Sequence, residues 1–517
     1  MKRHFLNRAL AACLIVSAAG ALSACGSERE HVALNEEGKP EKITFMVTTI
    51  IRPEDGQQAL CDEYEKNTGI KLEIEQPEHN QYYEKVSITF AAEDPADVIE
   101  LGSTYYPAYA SEGILWDMTD AWESSDLKAQ GIVDERFVDS LRYDSEYGEN
   151  RLYGFPEQRG NGTITYVRKD WMDALGIEEP SSYEEFYDML KAFKEIGSCE
   201  ETDSNGVSFK EKYEGKTIYP LTVAGLINSE SPYEIYLREF YQDARPDIHY
   251  DEKKGEYVDG VLEPEMEAAL HRIQDAWKDG LIDPGSISNK TSTCRDKFYA
   301  GVVGCFNYWA GTWYKTLDKN LKMKDETAEL IPLASFDKEK AYYIERPATA
   351  EAITNFCEHP EEVFEYFLMY MHDGDEGELL FSRGVEDVHY KVLERDSDGK
   401  IVKAEMLPSL SDPTSILDKS FYDANLAITD CYDPFDVDER ITISMEIFDE
   451  NSILYDLPVL NSTIADQLPD IEVAKNQLLS DIVIEDKTVE EALAEYEAST
   501  QKQREIILND LNGTDES

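Results

Sequence analysis

Alternating apolar and polar residues mark three short segments near the start of the chain. KITFMVTT at 42–49, KLEIEQ at 71–76 and ADVIEL at 96–101 each predict a β-strand. Between the first two, PEDGQQALCDEYEKNTG has the spacing of an amphipathic helix and predicts one that ends at Gly69. Strand, helix and strand in this order favour an α/β fold with a mainly parallel sheet covered by helices.

Amphipathic stretches later in the chain predict further helices. In SSYEEFYDMLKAFKEIG, Ser181 or Ser182 is the predicted N-cap and Gly197 the predicted stop. EPEMEAALHRIQDAWKDG and HPEEVFEYFLMYMHDG have similar apolar spacing, and VEEALAEYEASTQKQREIILNDL predicts a long C-terminal helix. We find no internal repeat and no low-complexity block, so we expect globular structure along most of the chain.

The first 24 residues have the anatomy of an export signal. MKRHFLNR carries positive charge, and the apolar run ALAACLIVSAAGAL after it is shorter than the roughly 20 residues that span a bilayer. LSAC at 22–25 resembles the lipobox of bacterial lipoproteins, which implies cleavage before Cys25 and a lipid on its thiol. The alternative is an ordinary secreted cysteine. The polar segment 25–41 then reads as a flexible tether.

The length of the chain limits the kinds of fold it can adopt, and its charge limits the kinds of molecule it can bind. At 517 residues the chain is long enough for one or two large lobes with well-buried cores. Its formal charge of −58 repels phosphate backbones and anionic membrane surfaces, which argues against a nucleic-acid partner. Hydrophobic residues make up 42% and aromatic residues 11%, too much apolar material for a disordered acidic chain. The acidic residues are therefore expected on a folded surface.

The cysteines indicate no metal site. Cys13 leaves with the signal peptide and Cys25 takes the lipid, and the others show no CxxC and no Cys/His pair at metal-ligand spacing. Most are expected to be small buried apolar residues, and their pairing stays open because spacing does not decide it. Neither a metal nor another cofactor is predicted. The remaining cysteines are Cys61, Cys199, Cys294, Cys305, Cys357 and Cys431.

The segment that begins at Arg151, RLYGFPEQRGNGTITYVRKDWMDALGIEEPSS, carries a family resemblance. It contains an x-Y-G-x-P stretch, then a strand and an R-K-D-W-x-x-x-L-G element, then a helix opened by P-x-[ST]. PADVIEL, FYAGVVGCFNYWAGTW, EAITNFCEHPEEVFEYFLMYM and GVEDVHY add further matches. The chain thus resembles the extracellular solute-binding lipoproteins of ABC importers, in particular the large carbohydrate-binding branch of Gram-positive bacteria.

The resemblance covers about residues 42–510 and implies an α/β, two-lobed periplasmic-binding-protein-like fold of type II. Each lobe is then a mixed, mainly parallel sheet flanked by helices, with the ligand cleft between the lobes. Lobe 1 is expected to comprise 42–155 and about 340–410, and lobe 2 about 156–339 and 411–510. The implied function is capture of a neutral oligosaccharide by hinge closure and its delivery to ABC permease subunits, by a monomeric, lipid-anchored protein on the extracytoplasmic face of the cell membrane.

One loop departs from the family pattern. Many relatives carry an acidic D-P-D-G-N-G-like loop that resembles a calcium site, and this chain has SCEETDSNGVS in its place. Glu200, Glu201, Asp203 and Asn205 can supply oxygen ligands, but their spacing is not that of an EF-hand loop. Calcium binding near 200–205 is left open.

Three stretches supply residue types that suit a sugar, which presents apolar faces edged by hydroxyl groups. GSTYY follows the predicted strand ADVIEL, PEQRGNG lies at the predicted crossing between the lobes, and FNYWAGTWY packs five aromatic residues into nine positions. The candidate ligand-binding residues are Ser103, Tyr105, Tyr106, Glu157, Arg159, Asn161, Tyr308, Trp309 and Trp313.

Each stretch also has a structural interpretation. Tyr105 and Tyr106 can cap a core, 157–161 can be a solvated hinge, and aromatic clusters are most often core. Trp309 and Trp313 are four residues apart and are expected to share one face, although Gly311 can break that regularity. We predict Trp309, supported by Trp313, as a stacking wall for a sugar ring.

Two other classes of function stay open at this point. A secreted carbohydrate-active hydrolase would need two carboxylates across a glycosidic bond, and 107 acidic residues make any such pair uninformative. The chain contains no H-E-x-x-H, G-x-S-x-G, Walker A or G-x-G-x-x-G motif, so we predict that it is not an enzyme. A binding or sensor lipoprotein for a peptide or another solute is the second alternative.

Overall fold

The computed structural model describes residues 32–513, apart from 79–80, 103–104, 146–147, 158–161, 228–237, 337–341, 346–347, 414–433, 437 and 455–461. In chain order its strands are β1 Lys42–Met46, β2 Lys71–Glu75, β3 Val98–Leu101, β4 Arg142–Ser145, β5 Gly148–Leu152, β6 Phe155–Pro156, β7 Thr163–Arg168, β8 Tyr219–Thr222, β9 Ile248–Asp251, β10 Glu256–Asp259, β11 Val303–Trp309, β12 Leu330–Pro332, β13 Tyr343–Glu345, β14 Ala350–Ile353, β15 Tyr390–Arg395, β16 Ile401–Met406 and β17 Ser452–Leu454.

A five-stranded sheet in the order β2-β1-β3-β14-β6 forms the centre of lobe 1. β1 runs parallel to β2 and β3, whereas β14 is antiparallel to its neighbours β3 and β6. Every residue of β3 and β14 is buried, as expected for strands covered on both faces. The helices of this lobe are Gln57–Thr68, Tyr82–Ala91, Tyr106–Ser111, Thr119–Glu123, Asp126–Gln130, Glu135–Asp139, Pro360–Val363, which continues through a π-turn at Phe364–Leu368 to Met369–Met371, and Glu376–Arg383.

Lobe 2 has a four-stranded sheet in the order β12-β7-β11-β8. Here β7 is the reversed strand, antiparallel to β11 and β12, and β11 runs parallel to β8. Each lobe thus has a mixed sheet, as the resemblance implied, and one strand of each sheet is reversed. The helices of this lobe are Lys169–Leu175, Tyr183–Lys194, Phe209–Lys212, Arg238–Tyr241, Pro264–Lys278, Thr291–Tyr299, Thr312–Lys322, Glu439–Asn451, Ser462–Ala465, Leu468–Val483 and Val489–Leu511.

The chain passes between the lobes at three places. The first connection leads from β6 to β7, and the second leads from β13, whose Tyr343 lies in the core of lobe 2, to β14. The third leaves lobe 1 after Phe435, whose ring meets that of Tyr390 at a centroid distance of 5.4 Å, and reaches lobe 2 at the helix Glu439–Asn451. β13 pairs in parallel with β17 beside these connections. By these contacts the second connection follows Glu345, and residues that pack on lobe 1 continue to Phe435.

Residues 32–41, which the sequence analysis assigned to the tether, lie against lobe 1. The N–H of Val32 donates to Glu358 at 3.0 Å, and the Lys39 ammonium donates to the carbonyl of Thr68 at 2.9 Å. Leu34 and Pro40 form an antiparallel bridge that closes this segment on itself. These contacts make the last part of the predicted tether a structured edge of the lobe.

Cysteine burial agrees with the expectation of small apolar residues. Cys61, Cys294 and Cys305 are buried thiols, and Cys199 and Cys357 are partly buried thiols. Cys431 lies outside the described residues. Within the part of the chain that the structure describes, no helix combines the length and apolarity needed to cross a membrane.

Candidate functional site

The edges of both lobes that adjoin the first connection carry candidate side chains. In lobe 1, Glu157 follows β6 directly. In lobe 2, Trp309 is the last residue of β11 and pairs with Thr163, the first residue of β7. Since residues 157–162 join β6 to β7, the two edges lie at the two ends of the first connection.

Three carboxylates, Glu100, Glu157 and Glu351, gather at the lobe 1 edge and are called here the carboxylate cluster. Glu100 and Glu351 are opposite partners in the antiparallel ladder of β3 and β14, so they point to the same face. Glu100 accepts hydrogen bonds from the N–H and the hydroxyl of Thr48 at 2.7 and 2.6 Å. Glu157 is 8% exposed, and its N–H donates to the Thr349 carbonyl at 3.0 Å.

Glu351 is the most deeply buried member of the cluster. It is 0% exposed, its Oε2 lies 3.3 Å from Nε2 of the equally buried His372, and its Oε1 has no hydrogen-bond partner among the residues that the structure describes. Burial, together with the charges of Glu157 and Glu100, raises the pKa of Glu351 well above its usual 4.5. Burial also lowers the pKa of His372 to about 3. Burial thus favours the neutral form of both groups in this contact.

Two tyrosine rings add an aromatic face to the same edge. Tyr83 and Tyr105 are stacked, with ring centroids 3.4 Å apart and planes 12° from parallel. The Tyr83 hydroxyl accepts a hydrogen bond from the Gly102 N–H at 2.9 Å, and burial raises the pKa of Tyr83. Tyr105 is 42% exposed, so its outer face is open while its inner face is held by Tyr83.

Trp309 supplies the aromatic group at the lobe 2 edge. It is partly buried and packs against the core of lobe 2. The hydroxyl of Tyr166 donates to the Trp309 carbonyl at 2.8 Å, and the N–H of Ala310 donates to the Gly162 carbonyl at 3.1 Å. These two hydrogen bonds fix the backbone of Trp309 next to the first connection.

Tyr308 and Trp313 form a second aromatic group. Tyr308 is 3% exposed and meets Trp313 edge-on at a centroid distance of 4.9 Å. The Arg295 guanidinium lies 4.9 Å from the Trp313 ring centroid and donates to the Tyr308 hydroxyl at 3.1 Å. Tyr308 and Trp309 are consecutive strand residues, so their side chains point to opposite faces. Since Trp313 contacts Tyr308, Trp309 and Trp313 do not share the face that their spacing predicted. Gly311, with φ 77°, turns the chain between them.

The candidate residues predicted from the sequence fall into three groups: core residues, residues at the two edges, and residues outside the described part of the chain. Tyr106 is a core residue, since it is 3% exposed and its hydroxyl donates to the Leu141 carbonyl at 2.6 Å and accepts from the Tyr153 N–H at 3.1 Å. Tyr308 is likewise core, and Trp313 packs against it. Those at the two edges are Tyr105, Glu157 and Trp309. Those outside the described residues are Cys25, Ser103, Arg159 and Asn161.

Sequence reasoning missed several polar groups near the site. Asn307, two residues before Trp309 on the same face, is 1% exposed and donates to the Thr165 hydroxyl at 3.0 Å. Glu100 and Glu351 are each the single acidic residue of a fully buried strand, VIEL and AEAI. An acidic residue in a buried strand must have a partner or be neutral, so a single acid in an apolar strand could have indicated these two residues from the sequence.

The acidic loop at 200–205 is closed by a lysine. Asp203 accepts from the N–H groups of Asn205 and Val207 at 3.0 and 3.1 Å, and its second oxygen lies 3.0 Å from the Lys212 ammonium. Lys212 also pairs with Asp325 at 2.7 Å. The ammonium group therefore supplies positive charge between the two carboxylates.

Sequence comparison gives a family for part of the chain. Residues 53–214 match the model of the family described as bacterial extracellular solute-binding protein. Diacetylchitobiose binding protein DasA of Streptomyces coelicolor is 31% identical over 209 residues, which cover 39% of this chain and 45% of the relative. The chain spans about half the length, or less, of the curated relatives it matches.

Comparison with solved structures extends the likeness to most of the chain. Alginate-binding protein AlgQ2, solved without calcium ion, superposes with a TM-score of 0.63 at 16% identity over 94% of this chain and 99% of that one. Substrate-binding protein FusA of S. pneumoniae, solved in complex with kestose, superposes with a TM-score of 0.60 at 15% identity, over 92% of this chain and 98% of that one. The chain therefore has the two-lobed, type II solute-binding fold that the resemblance implied, and over residues 53–214 it matches the bacterial extracellular solute-binding proteins.

Proposed function

We propose that the protein is the substrate-binding lipoprotein of an ABC transporter, which captures a carbohydrate by closing its lobes and delivers it to a membrane permease. The observation that supports this most directly is the composition of the two edges at the first connection. Lobe 1 presents carboxylates and the exposed face of Tyr105, and lobe 2 presents Trp309. Relatives named for diacetylchitobiose and fructooligosaccharide support a carbohydrate as the ligand class.

The chemistry of the edges suits a neutral oligosaccharide. Ring faces of sugars stack on aromatic side chains, and their hydroxyl groups donate to carboxylates. We assign stacking to Trp309 and Tyr105 and hydroxyl recognition to Glu157, with Ser103, Arg159 and Asn161 as further proposed contacts. Trp313 and Tyr308 support the lobe 2 wall from within, through their mutual ring contact.

The proposed anchor is a lipid on Cys25, which holds a monomeric protein on the extracytoplasmic face of the cell membrane near its permease. The motif LSAC after a short apolar run supports this assignment. Replacing Cys25 by Ala should release the protein from the membrane fraction. A Cys25→Ala protein that stays membrane-bound at unchanged mature size would contradict it.

A thermal-shift screen of the soluble chain against mono- and oligosaccharides tests the proposed function. A ligand that binds only the native state raises stability by RT ln(1 + [L]/Kd), about 2.7 kcal/mol at a hundredfold excess over Kd. We expect a shift with at least one oligosaccharide and no change in that sugar on prolonged incubation. Release of product would favour the hydrolase alternative, and a shift with peptides alone would favour the sensor.

A further inference from the structure

Three possible metal ligands meet on the surface of lobe 2, away from the cleft. Glu267 and His271 are four residues apart on the helix Pro264–Lys278, so they point to the same side of it. Glu490 comes from the first turn of the helix Val489–Leu511, which packs beside it. One donor atom from each residue lies within 4.8 Å of the other two, and His271 Nε2 is 3.5 Å from Glu490 Oε1.

We propose that this triad, Glu267, His271 and Glu490, is a surface site for Zn²⁺ that joins the two helices. Zinc takes imidazole nitrogen and carboxylate oxygen at about 2.0–2.2 Å, so ligands in a tetrahedron lie roughly 3.4 Å apart. Both glutamates are exposed, so their side chains are free to rotate and shorten the present spacing of up to 4.8 Å. A water molecule completes the four positions.

The ligand set selects among cations. Calcium and magnesium are bound almost entirely by oxygen ligands and gain little from an imidazole, whereas zinc, copper and nickel bind imidazole well. The acidic surface of a chain with net charge −58 attracts any cation, so affinity alone is not diagnostic. Dependence on His271 is the property that separates this site from diffuse attraction.

Bound zinc would fasten the C-terminal helix to the body of lobe 2. The two helices are already linked through Gln274, whose amide donates to the Lys487 carbonyl at 2.7 Å just before the C-terminal helix begins. His271 lies about one turn and Glu267 about two turns closer than Gln274 to the start of the helix Pro264–Lys278. The metal would therefore stabilise an existing contact rather than create a new one.

Isothermal titration of ZnCl₂ into the full chain without an affinity tag tests the proposal, with Mg²⁺ as the comparison cation. We expect one zinc ion per chain to bind more tightly than any further zinc ions. This tight binding should be at least tenfold weaker in His271→Ala and in Glu267→Gln. Glu265→Gln is the matched control, because Glu265 is an exposed acid in the same helical turn outside the triad. Cobalt should give the visible absorption of a low-coordinate site in the unsubstituted chain and lose it in His271→Ala.

The outcomes are distinct because all substituted side chains lie on the surface, and metal-free melting curves check that each variant is folded. A stoichiometric zinc class that disappears in both triad variants and persists in Glu265→Gln supports the site. Equal zinc affinity in the unsubstituted chain and His271→Ala overturns it. So does a zinc isotherm that matches the magnesium one.

Discussion

At the residue scale, burial separates the two aromatic side chains at the end of β11. Tyr308 is 3% exposed and engaged by Trp313 and Arg295, whereas Trp309 is only partly buried and stands beside the first connection. Adjacent positions of one strand thus belong to the core and to the cleft edge. Truncating each of them should affect different properties.

Trp309→Ala is expected to weaken sugar binding at least tenfold and to change the melting temperature of the free protein little. Stacking on an aromatic ring contributes about 0.5–1.5 kcal/mol beyond the area it buries. Tyr308→Ala is the control, because loss of a buried aromatic side chain costs about 3–5 kcal/mol of unfolding free energy. Titration calorimetry and thermal melts measure both. Unchanged affinity in Trp309→Ala, or a melting temperature as low as that of Tyr308→Ala, would assign Trp309 to the core.

The pair Glu351 and His372 predicts a particular dependence of stability on pH. Glu351 has a raised pKa in the folded state, so its contribution is full below 4.5 and is lost as the pH rises through the folded value. His372 has a lowered pKa, so its contribution is full above 6.5 and is lost as the pH falls toward 3. The two slopes have opposite signs between 4.5 and 6.5, and above 6.5 the contribution of His372 is constant.

Glu351→Gln should therefore gain stability relative to the unsubstituted chain as the pH rises. The expected gain is up to about 1.4 kcal/mol per pH unit above the usual pKa of a glutamate, until the folded-state pKa is reached. Urea unfolding between about pH 5 and pH 8 measures it. Glu394→Gln, at an exposed position of β15, is the control and should show a constant difference. A constant difference for Glu351→Gln as well would mean that the buried carboxyl is ionised.

At the scale of elements, Gly162 determines how closely the connections between the lobes can approach. A Cβ at this position would lie 2.2 Å from the Ile344 carbonyl oxygen and 2.6 Å from the Phe448 ring. These two residues belong to β13 and to the helix Glu439–Asn451. The first connection is thus packed against the elements that lead into and out of the other two.

Gly162→Ala should lower the free energy of unfolding by about 1–3 kcal/mol, because backbone and ring must shift to admit the methyl group. Gly197→Ala is the matched control, since its nearest neighbours would lie at 3.7 and 3.8 Å, an ordinary contact. Urea midpoints compare the two variants. If both variants unfold at the same urea concentration, the backbone around Gly162 has more room for a methyl group than the structure shows.

Local elements followed from the sequence, but their pairing did not. The strands at 42–46, 71–75 and 98–101 and the helix ended by Gly69 are where periodicity and turn residues predicted them. The helix Tyr183–Lys194 is capped by Ser182, as predicted, but ends before Gly197. Glu100 and Glu351 lie opposite each other because β3 and β14, which are distant in sequence, are paired. The periodicity of each strand does not predict which strands pair. Gly311 similarly removed the predicted alignment of Trp309 with Trp313.

At the scale of the whole molecule, three connections between two separately packed cores predict hinge motion. Each lobe has its own apolar cluster, so the lobes can rotate as rigid bodies about the connections. Small-angle scattering should show a smaller radius of gyration when a sugar found in the screen is added. Trp309→Ala at the same sugar concentration should show a smaller change. Superimposable curves with and without a saturating sugar would contradict closure.

The position of β14 in the lobe 1 sheet has a consequence for the order of folding. β14 lies between β3 and β6, yet β7, β8, β11 and β12, the entire sheet of lobe 2, are synthesised before it. Ribosomes deliver the N-terminus first, so β3 waits with an unpaired edge while the second lobe emerges, and closing so long a loop is slow. We therefore expect the lobe 2 sheet to be completed first, although its strands begin later in the chain, and the nascent lobe 1 to be the aggregation-prone and chaperone-dependent half.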